Sequence, residues 1–174
     1  MIIWLNGAFG VGKSSTAAEL VKIIPESRIF DPEQVGFMLR HIDGLPKLGD
    51  FQRWPPWRAL VVETAVEILN YIGGVLVVPQ TVLISEYWEE MINGLNNSGV
   101  TVHHFVLHAS ASSLTRRITA DIKDIEEWRL EHLPGYQAAQ VWMHRAGNIV
   151  DTTHTPPDAV AELIYSHVKM ASQT

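Results

Sequence analysis

IIWLNGAFGVGKSST, residues 2–16, joins four apolar residues to a glycine-rich turn and then to a lysine followed by small hydroxyl side chains. The unbroken apolar run over residues 2–5 predicts a buried strand. Apolar side chains recur at helical spacing over residues 15–24, and Pro25 ends the predicted helix. The glycines allow backbone conformations that turn successive N–H groups inward, and the helix adds its positive N-terminal end. This stretch therefore predicts a strand, an anion-binding turn and a helix.

The turn matches the phosphate-loop motif G-x-x-x-x-G-K-[ST] at every fixed position over residues 7–14. Lys13 is expected to reach the β- and γ-phosphates of a nucleotide, and the Ser14 hydroxyl is expected to ligate Mg²⁺. ATP and Mg²⁺ are thus the predicted cofactors. The predicted cofactor-binding residues are Gly7, Ala8, Phe9, Gly10, Val11, Gly12, Lys13, Ser14 and Ser15.

Two other classes of phosphate-loop protein find no support in the sequence. The guanine-reading segment N-K-x-D of GTPases is absent, and the apolar run at residues 75–78 lacks the acidic end that motor-type ATPases use to hold Mg²⁺. The nearest acid at a predicted strand end is Asp31. In small-molecule kinases such an acid orients the metal shell or takes the proton from the acceptor hydroxyl. Asp-Pro-Glu is also a good helix start, so both interpretations of Asp31 stay open.

Short apolar runs alternate along the chain with segments of helical period, as in a parallel sheet with helices on its faces. We therefore predict an α/β, three-layer P-loop NTPase fold with a five-stranded parallel sheet flanked by helices, in one domain over residues 1–174. Ser110 is predicted to cap a helix, and residues 43–56 are rich in Gly and Pro and predicted to form a loop or a broken helix. Strands are predicted at residues 2–5, 28–30, 75–78, 101–107 and 148–150, and further helices include 57–71, 86–95, 110–120 and 137–145.

The composition narrows the possible function classes. The chain has 174 residues, of which 47% are hydrophobic, no cysteine and a formal net charge of -6. A disulfide framework and a thiolate metal site are excluded, and the missing basic stripe argues against nucleic acid as a partner. No apolar run approaches the roughly 20 residues of a membrane span, so a cytoplasmic protein is expected. A closing helix from residue 156 carries an apolar stripe that we expect in the core rather than on a membrane; its members are Val160, Leu163, Ile164 and Val168.

With the loop and Asp31 placed, the chain resembles the tunicamycin-resistance family of ATP-binding proteins, within the nucleoside-monophosphate-kinase-like P-loop proteins. The matching stretches cover most of the first two-thirds of the chain. They are residues 3–10 (IWLNGAFG) with Gly12-Lys13, residues 31–33 (DPE) with Gly36-Phe37 and Leu39-Arg40, residues 50–52 (DFQ) with Pro55 and residues 57–59 (WRA), residues 77–79 (VVP) with Thr81, and residues 102–105 (VHHF) with Ala109-Ser110.

The resemblance implies a kinase-like sheet with ATP on the first loop, a substrate region formed by the second and third helices, and a lid over about residues 120–136. It also implies a role in resistance to tunicamycin, a nucleoside antibiotic that carries sugars and a fatty acyl chain. Arg117 is the arginine that the resemblance favours for stacking on adenine or holding the transferring phosphate. Kinase lids usually carry several arginines, whereas this one is acidic; its acids are Asp121, Asp124, Glu126 and Glu127.

Besides Asp31, four residues are candidates for substrate binding. Arg40 and Arg58 lie on helices that should flank the acceptor pocket, where a planar guanidinium suits a phosphate or carboxylate. Trp57 could stack on a base or line a slot for an acyl chain, or it could close the core over the sheet. Thr81 could touch substrate or cap the next helix. Arg116 and Arg117 could also form no more than a solvated helix face.

These observations lead to three hypotheses. The first is an ATP- and Mg²⁺-dependent phosphotransferase that acts on a hydroxyl of a nucleoside-type antibiotic, with Lys13, Asp31 and Arg117 as catalytic residues. The second is an ATP-dependent protein that sequesters the drug without changing it. The third is a small nucleotide or metabolite kinase with an incidental role in resistance. The sequence does not specify an oligomeric state.

Overall fold

The computed structural model describes residues 1–120 and 130–171. Five parallel strands form one sheet in the order β2-β3-β1-β4-β5. The strands are β1 Ile2–Gly7, β2 Ser27–Ile29, β3 Val75–Pro79, β4 Val102–His108 and β5 Asn148–Asp151. The described helices are α1 Lys13–Ile23, α2 Glu33–Leu39, α3 Pro55–Ile72, α4 Ser85–Asn97, α5 Ala111–Thr119, α6 Leu133–Ala146 and α7 Pro157–Ala171, with a 3₁₀ turn at Phe51–Arg53.

β1 lies at the centre of the sheet, where Ile2 pairs with Leu76 on one side and with Val102 on the other. All six residues of β1 are buried, as expected for a parallel strand that is covered on both faces. The edge strands β2 and β5 are short and mostly exposed. The predicted five-stranded parallel sheet is confirmed.

Alternating side chains of β1 supply two separate apolar cores. Ile3 and Leu5 pack on what we call the α1 face, which α1, α5, α6 and α7 cover. Ile2 and Trp4 pack on what we call the α3 face, which α2, α3 and α4 cover. The predicted three layers are therefore helices, sheet and helices.

The predicted elements match the structure to within a few residues, with three exceptions of physical interest. α6 begins at Leu133, four residues before the predicted start, with a proline in its first turn. α3 begins at Pro55, inside the predicted loop, for the same reason. Leu163 was expected in the core stripe of the last helix, but 57% of its surface is exposed, and Ala161 faces the core instead.

Ser110 caps α5 as predicted, because its side chain accepts a hydrogen bond from the Ser113 N–H. No helix among residues 1–120 and 130–171 is long and apolar enough to cross a membrane.

Candidate nucleotide and acceptor site

The glycine-rich turn between β1 and α1 forms a tight backbone loop, which we call the phosphate loop (residues 7–14). Gly7 and Gly10 have φ angles of 138° and 75°, which other residues rarely adopt. A Cβ at Gly7 would collide with the Leu107 carbonyl oxygen, and one at Gly10 would lie 2.9 Å from Ile118 Cγ1. Glycine is therefore needed at these positions both for the conformation and for the space.

Lys13 begins α1 and reaches back over the phosphate loop. Its Nζ donates hydrogen bonds to the carbonyl oxygens of Gly7 at 3.1 Å and Ala8 at 2.8 Å, and it lies 5.5 Å from the centre of the Phe9 ring. Ser14 and Ser15 are exposed in the first turn of the helix. The ammonium group and two hydroxyls thus surround the N-terminal end of α1, where helix amides favour an anion.

The segment after β3 is fastened to the phosphate loop by two buried side chains. Asn6 accepts hydrogen bonds from the Gly7 and Val82 N–H groups, each at 2.8 Å, and donates to the Val82 carbonyl at 3.0 Å. The Thr81 hydroxyl donates to the Gly7 carbonyl at 2.9 Å. α4 starts after Ile84 without a side-chain cap, so the alternative that Thr81 caps that helix is wrong.

Asp31 lies where β2 passes into α2, and it lines the same cleft as the phosphate loop. One carboxylate oxygen accepts the Glu33 N–H at 3.0 Å, and the other accepts Gln34 Nε2 at 3.1 Å. The carboxylate therefore supports the start of α2 and also faces the cleft. Both interpretations of this residue fit its position, because each oxygen has a second lone pair available.

The cleft has a volume of about 1040 Å³ at the carboxyl edge of the sheet, where folds of this class bind ligands. It brings together Lys13, Asp31, Thr81 and Arg117, which the sequence singled out separately. The rest of its lining comes from the phosphate loop with the start of α1, from the β2–α2 connection, from the end of β3 and from residues 152–160: Phe9, Gly10, Val11, Gly12, Ser14, Ser15, Thr16, Ile29, Glu33, Pro79, Thr152, Thr153, His154, Thr155, Pro156, Pro157 and Val160.

Three predicted substrate residues do not line this cleft. Trp57 is wholly buried in the core of the α3 face, where its Nε1–H donates to the Pro32 carbonyl at 3.0 Å. The structure therefore supports the core alternative for Trp57, because an enclosed ring has no surface left for a base or an acyl chain.

Arg40 is exposed and lies over the rings of Phe37 and Phe51.

Arg58 is occupied within the protein as well. Its side chain is 9% exposed, and its Nε donates to Glu90 Oε2 at 2.6 Å. Another guanidinium nitrogen donates to the Gln52 carbonyl at 2.5 Å, and the group lies 4.2 Å from the centre of the Tyr87 ring. These contacts tie α3 to α4 and to the 3₁₀ turn, so a substrate anion would have to displace partners that Arg58 already has.

Asn6 and Thr152 also belong to the site. The resemblance to kinases places residues 151–153 beside the adenine through their backbone, but it predicts no role for the Asn6 or Thr152 side chain. Thr152 follows β5, is 3% exposed, and donates its hydroxyl hydrogen bond to the Val11 carbonyl of the phosphate loop at 2.9 Å. Asn6 lies near the carboxyl end of β1 and Thr152 directly follows β5, and this position of a polar residue at the carboxyl edge of the sheet is the signal that could have identified them. Nearby, hydrogen bonds from the Thr153 side chain and backbone lower the pKa of the Asp151 carboxyl below its usual range.

Arg117 projects from α5 toward the phosphate loop and the β5–α7 segment (residues 152–156). Its guanidinium donates hydrogen bonds to backbone carbonyls of both, and the shortest of them, to the Thr152 carbonyl, is 2.6 Å long. Arg116, next to it, is exposed and does not line the cleft. Most of the predicted lid, residues 121–129, lies outside the described residues, and its last four residues form the first turn of α6.

The sequence matches no protein-family model and no curated protein, whereas solved structures match it over nearly its whole length. A sugar kinase from Janibacter sp. superposes with a TM-score of 0.66 at 17% identity, covering 98% of this chain and 95% of that one. The Mycobacterium tuberculosis APS kinase, solved with AMPPNP and APS, gives 0.58 at 15% identity, covering 97% and 96%. At these identities the likeness establishes the fold, which is that of the P-loop kinases.

A third structure is more similar in sequence. The Deinococcus radiodurans tunicamycin resistance protein is 30% identical, with a TM-score of 0.73, and the match covers 97% of this chain and 95% of that one. Identity at this level over almost the full length of both chains reflects common descent. This chain therefore belongs to the tunicamycin-resistance protein family, and its fold is that of the P-loop kinases.

Proposed function

We propose that the protein is an ATP- and Mg²⁺-dependent phosphotransferase that acts on a hydroxyl of a nucleoside-type antibiotic, most specifically tunicamycin. One observation carries the proposal: the phosphate loop, Lys13 and the Asp31 carboxylate line a single cleft of about 1040 Å³. A nucleotide triphosphate and an acceptor hydroxyl need those three features within reach of one another.

The residues present suit a nucleotide with its metal ion. Gly10 and Gly12 have φ angles of 75° and 102°, which suits a loop whose N–H groups converge on phosphate oxygens. Hydroxyl oxygens are among the ligands that Mg²⁺ accepts, and Ser14 offers one at the cleft. Among residues 1–120 and 130–171 no cluster of three His, Asp or Glu side chains could hold a metal ion, so phosphate oxygens would complete the shell. When bound, Mg²⁺ neutralises charge on the phosphates.

In the proposed reaction the acceptor oxygen forms a bond to the γ-phosphorus while the bond from that phosphorus to the β–γ bridging oxygen breaks, and ADP leaves. The Asp31 carboxylate takes the proton of the acceptor hydroxyl. The hydrogen bonds from Glu33 and Gln34 hold this carboxylate in a fixed orientation. Lys13 exchanges its carbonyl partners for phosphate oxygens and stabilises the charge on the transferred group.

Tunicamycin as the acceptor is supported by family membership, since the relative at 30% identity is a tunicamycin resistance protein. A second candidate function is ATP-dependent sequestration of the drug without chemistry. The four acids of the predicted lid favour it, because kinase lids usually carry arginines that stabilise the transferred phosphoryl group.

The deciding experiment is a product mass spectrum after incubation of the protein with ATP, Mg²⁺ and tunicamycin. We expect drug that has gained one phosphoryl group, formed in step with ADP. The Asp31→Asn variant should bind ATP normally and give no product, whereas Asp43→Asn, an exposed acid outside the cleft, should match the parent. Drug that is bound tightly but recovered unchanged would replace the transferase with sequestration. Faster turnover of ordinary nucleosides than of tunicamycin would identify a metabolite kinase.

A further inference from the structure

The Arg117 guanidinium is directed at the backbone of two chain segments. Its two terminal nitrogens make four hydrogen bonds: to the Thr152 carbonyl at 2.6 Å, to the Thr152 hydroxyl and the Thr153 carbonyl at 3.3 Å each, and to the Val11 carbonyl at 3.5 Å. Three of these acceptors belong to the β5–α7 segment and one belongs to the phosphate loop. The planar fork of arginine suits this arrangement, because it offers several donors in one plane.

Thr152 makes the complementary connection. Its hydroxyl lies 2.9 Å from the Val11 carbonyl and 3.1 Å from the His108 carbonyl, and its backbone N–H donates to the same His108 carbonyl at 2.7 Å. With 3% of its surface exposed, the side chain is shielded from water. Hydrogen bonds that are buried in this way hold their partners firmly, since a broken one would leave an unsatisfied polar group.

α5 is fixed against the phosphate loop from behind, which makes it a stable base for these contacts. Ile118, the residue after Arg117, is wholly buried, and it fills the space that a side chain at Gly10 would need. The phosphate loop, the end of β4 and the β5–α7 segment are therefore joined through one arginine and one threonine.

We propose that Arg117 and Thr152 form a positioning unit that sets the spacing between the phosphate loop and the β5–α7 segment for a nucleoside triphosphate. In this role Arg117 acts through the carbonyls of the β5–α7 segment, and it is not the arginine that holds the transferring phosphoryl group. The unit holds the β5–α7 segment in place before the base and ribose bind, and this lowers the entropy cost of binding them. The inference rests on the proposed function, because it requires that the cleft binds ATP.

Two ligands separate this role from direct contact with phosphate. Inorganic tripolyphosphate needs only the phosphate loop, whereas in this proposal the base and ribose of ATP also use the β5–α7 segment, which lines the same cleft. We expect Arg117→Ala to weaken ATP binding roughly 10-fold, the scale of one or two lost charge-assisted hydrogen bonds, and to leave tripolyphosphate binding within about 2-fold. Titration calorimetry with each ligand in the presence of Mg²⁺ measures both, and circular dichroism verifies that the variants are folded.

Conservative and neighbouring variants sharpen the test. Arg117→Lys keeps the charge but loses the fork, so it should resemble Arg117→Ala. Thr152→Val should weaken ATP binding, and Thr152→Ser, which keeps the hydroxyl, should restore it. Arg116→Ala changes an exposed neighbour on the same helix and should match the parent for both ligands.

Four outcomes would overturn the proposal. Equal losses of ATP and tripolyphosphate affinity in Arg117→Ala would show that the guanidinium contacts phosphate, and restoration by lysine would indicate the same. Unchanged ATP binding in both Arg117→Ala and Thr152→Val would show that the connection has no effect on the ligand. If the unaltered protein bound neither ligand, the nucleotide site itself would be wrong and the proposed function would fail with it.

Discussion

Polar side chains on the two faces of the sheet are placed differently relative to the cleft. On the α1 face, the phosphate loop and the Arg117–Thr152 pair open onto the cleft. On the α3 face, Trp57 and Arg58 turn inward, the first into the core and the second onto Glu90 and a backbone carbonyl. The difference teaches that an arginine lines the cleft on one side of the molecule, as Arg117 does, and holds helices together on the other, as Arg58 does. Four experiments can break or sharpen this contrast.

Trp57→Ala should have the largest effect, a loss of about 3–5 kcal/mol in the free energy of unfolding. The ring is wholly buried, packs 5.2 Å from Phe51 between ring centres and donates to the Pro32 carbonyl. Urea unfolding measures the loss. Tyr71→Ala, at a 90% exposed position of the same helix, should change stability by less than about 0.5 kcal/mol. An unchanged stability with weaker antibiotic binding would instead place the Trp57 ring at the ligand.

His104 should make the α3 face sensitive to acid. Burial against Trp88, with ring centres 4.0 Å apart, lowers the pKa of His104 from 6.5 to about 4. The unfolded chain then binds a proton at a higher pH than the folded protein does, so this contribution is complete above pH 6.5 and is lost as the pH falls toward 4. The loss should reach about 3 kcal/mol.

Urea unfolding of the parent and of His104→Phe over this pH range tests the assignment. On acidification, the free energy of unfolding of His104→Phe should fall by about 3 kcal/mol less than that of the parent. His154 is an exposed histidine, and the His154→Asn variant should behave like the parent. Identical pH profiles for the parent and His104→Phe would show that another group is responsible.

Lys13→Ala should keep the fold and weaken ATP binding about 100-fold, equivalent to about 2.7 kcal/mol. The side chain contacts two carbonyls at the surface of the phosphate loop, and its removal opens no core. Calorimetric titration measures the affinity, and thermal unfolding without ligand verifies the fold. The matched control is Lys22→Ala, which removes an exposed lysine of the same helix. Full ATP affinity in Lys13→Ala would be incompatible with the role assigned to this lysine.

Glu90→Gln should have the smallest effect, less than about 1 kcal/mol in the free energy of unfolding. The Glu90 side chain is 48% exposed, so water screens its ion pair with Arg58. Glu89→Gln, an exposed neighbour, serves as the reference in thermal unfolding. A loss of several kcal/mol would mean that the pair stabilises the α3 face far more than its exposure indicates.

The parts of the fold and site that the sequence predicted are those that local rules determine. Four successive apolar residues and a fixed glycine spacing define β1 and the phosphate loop without information from the rest of the chain. The roles of Trp57 and Arg58 depend on how α3 is rotated against α4, which only long-range packing sets. The contact of the Thr152 hydroxyl was not predicted because its partner, the Val11 carbonyl, lies 141 residues away in the chain.

The Asn6 side chain has a mechanical consequence for the cleft. Its amide bonds both the N–H and the carbonyl of Val82, as a further residue of a neighbouring strand would. These hydrogen bonds extend the pairing of β1 with β3 by one residue beyond the last backbone pair. They connect the part of the phosphate loop beneath Lys13 to the segment that bears Thr81. Those two parts should exchange their amide hydrogens slowly and move as a single body.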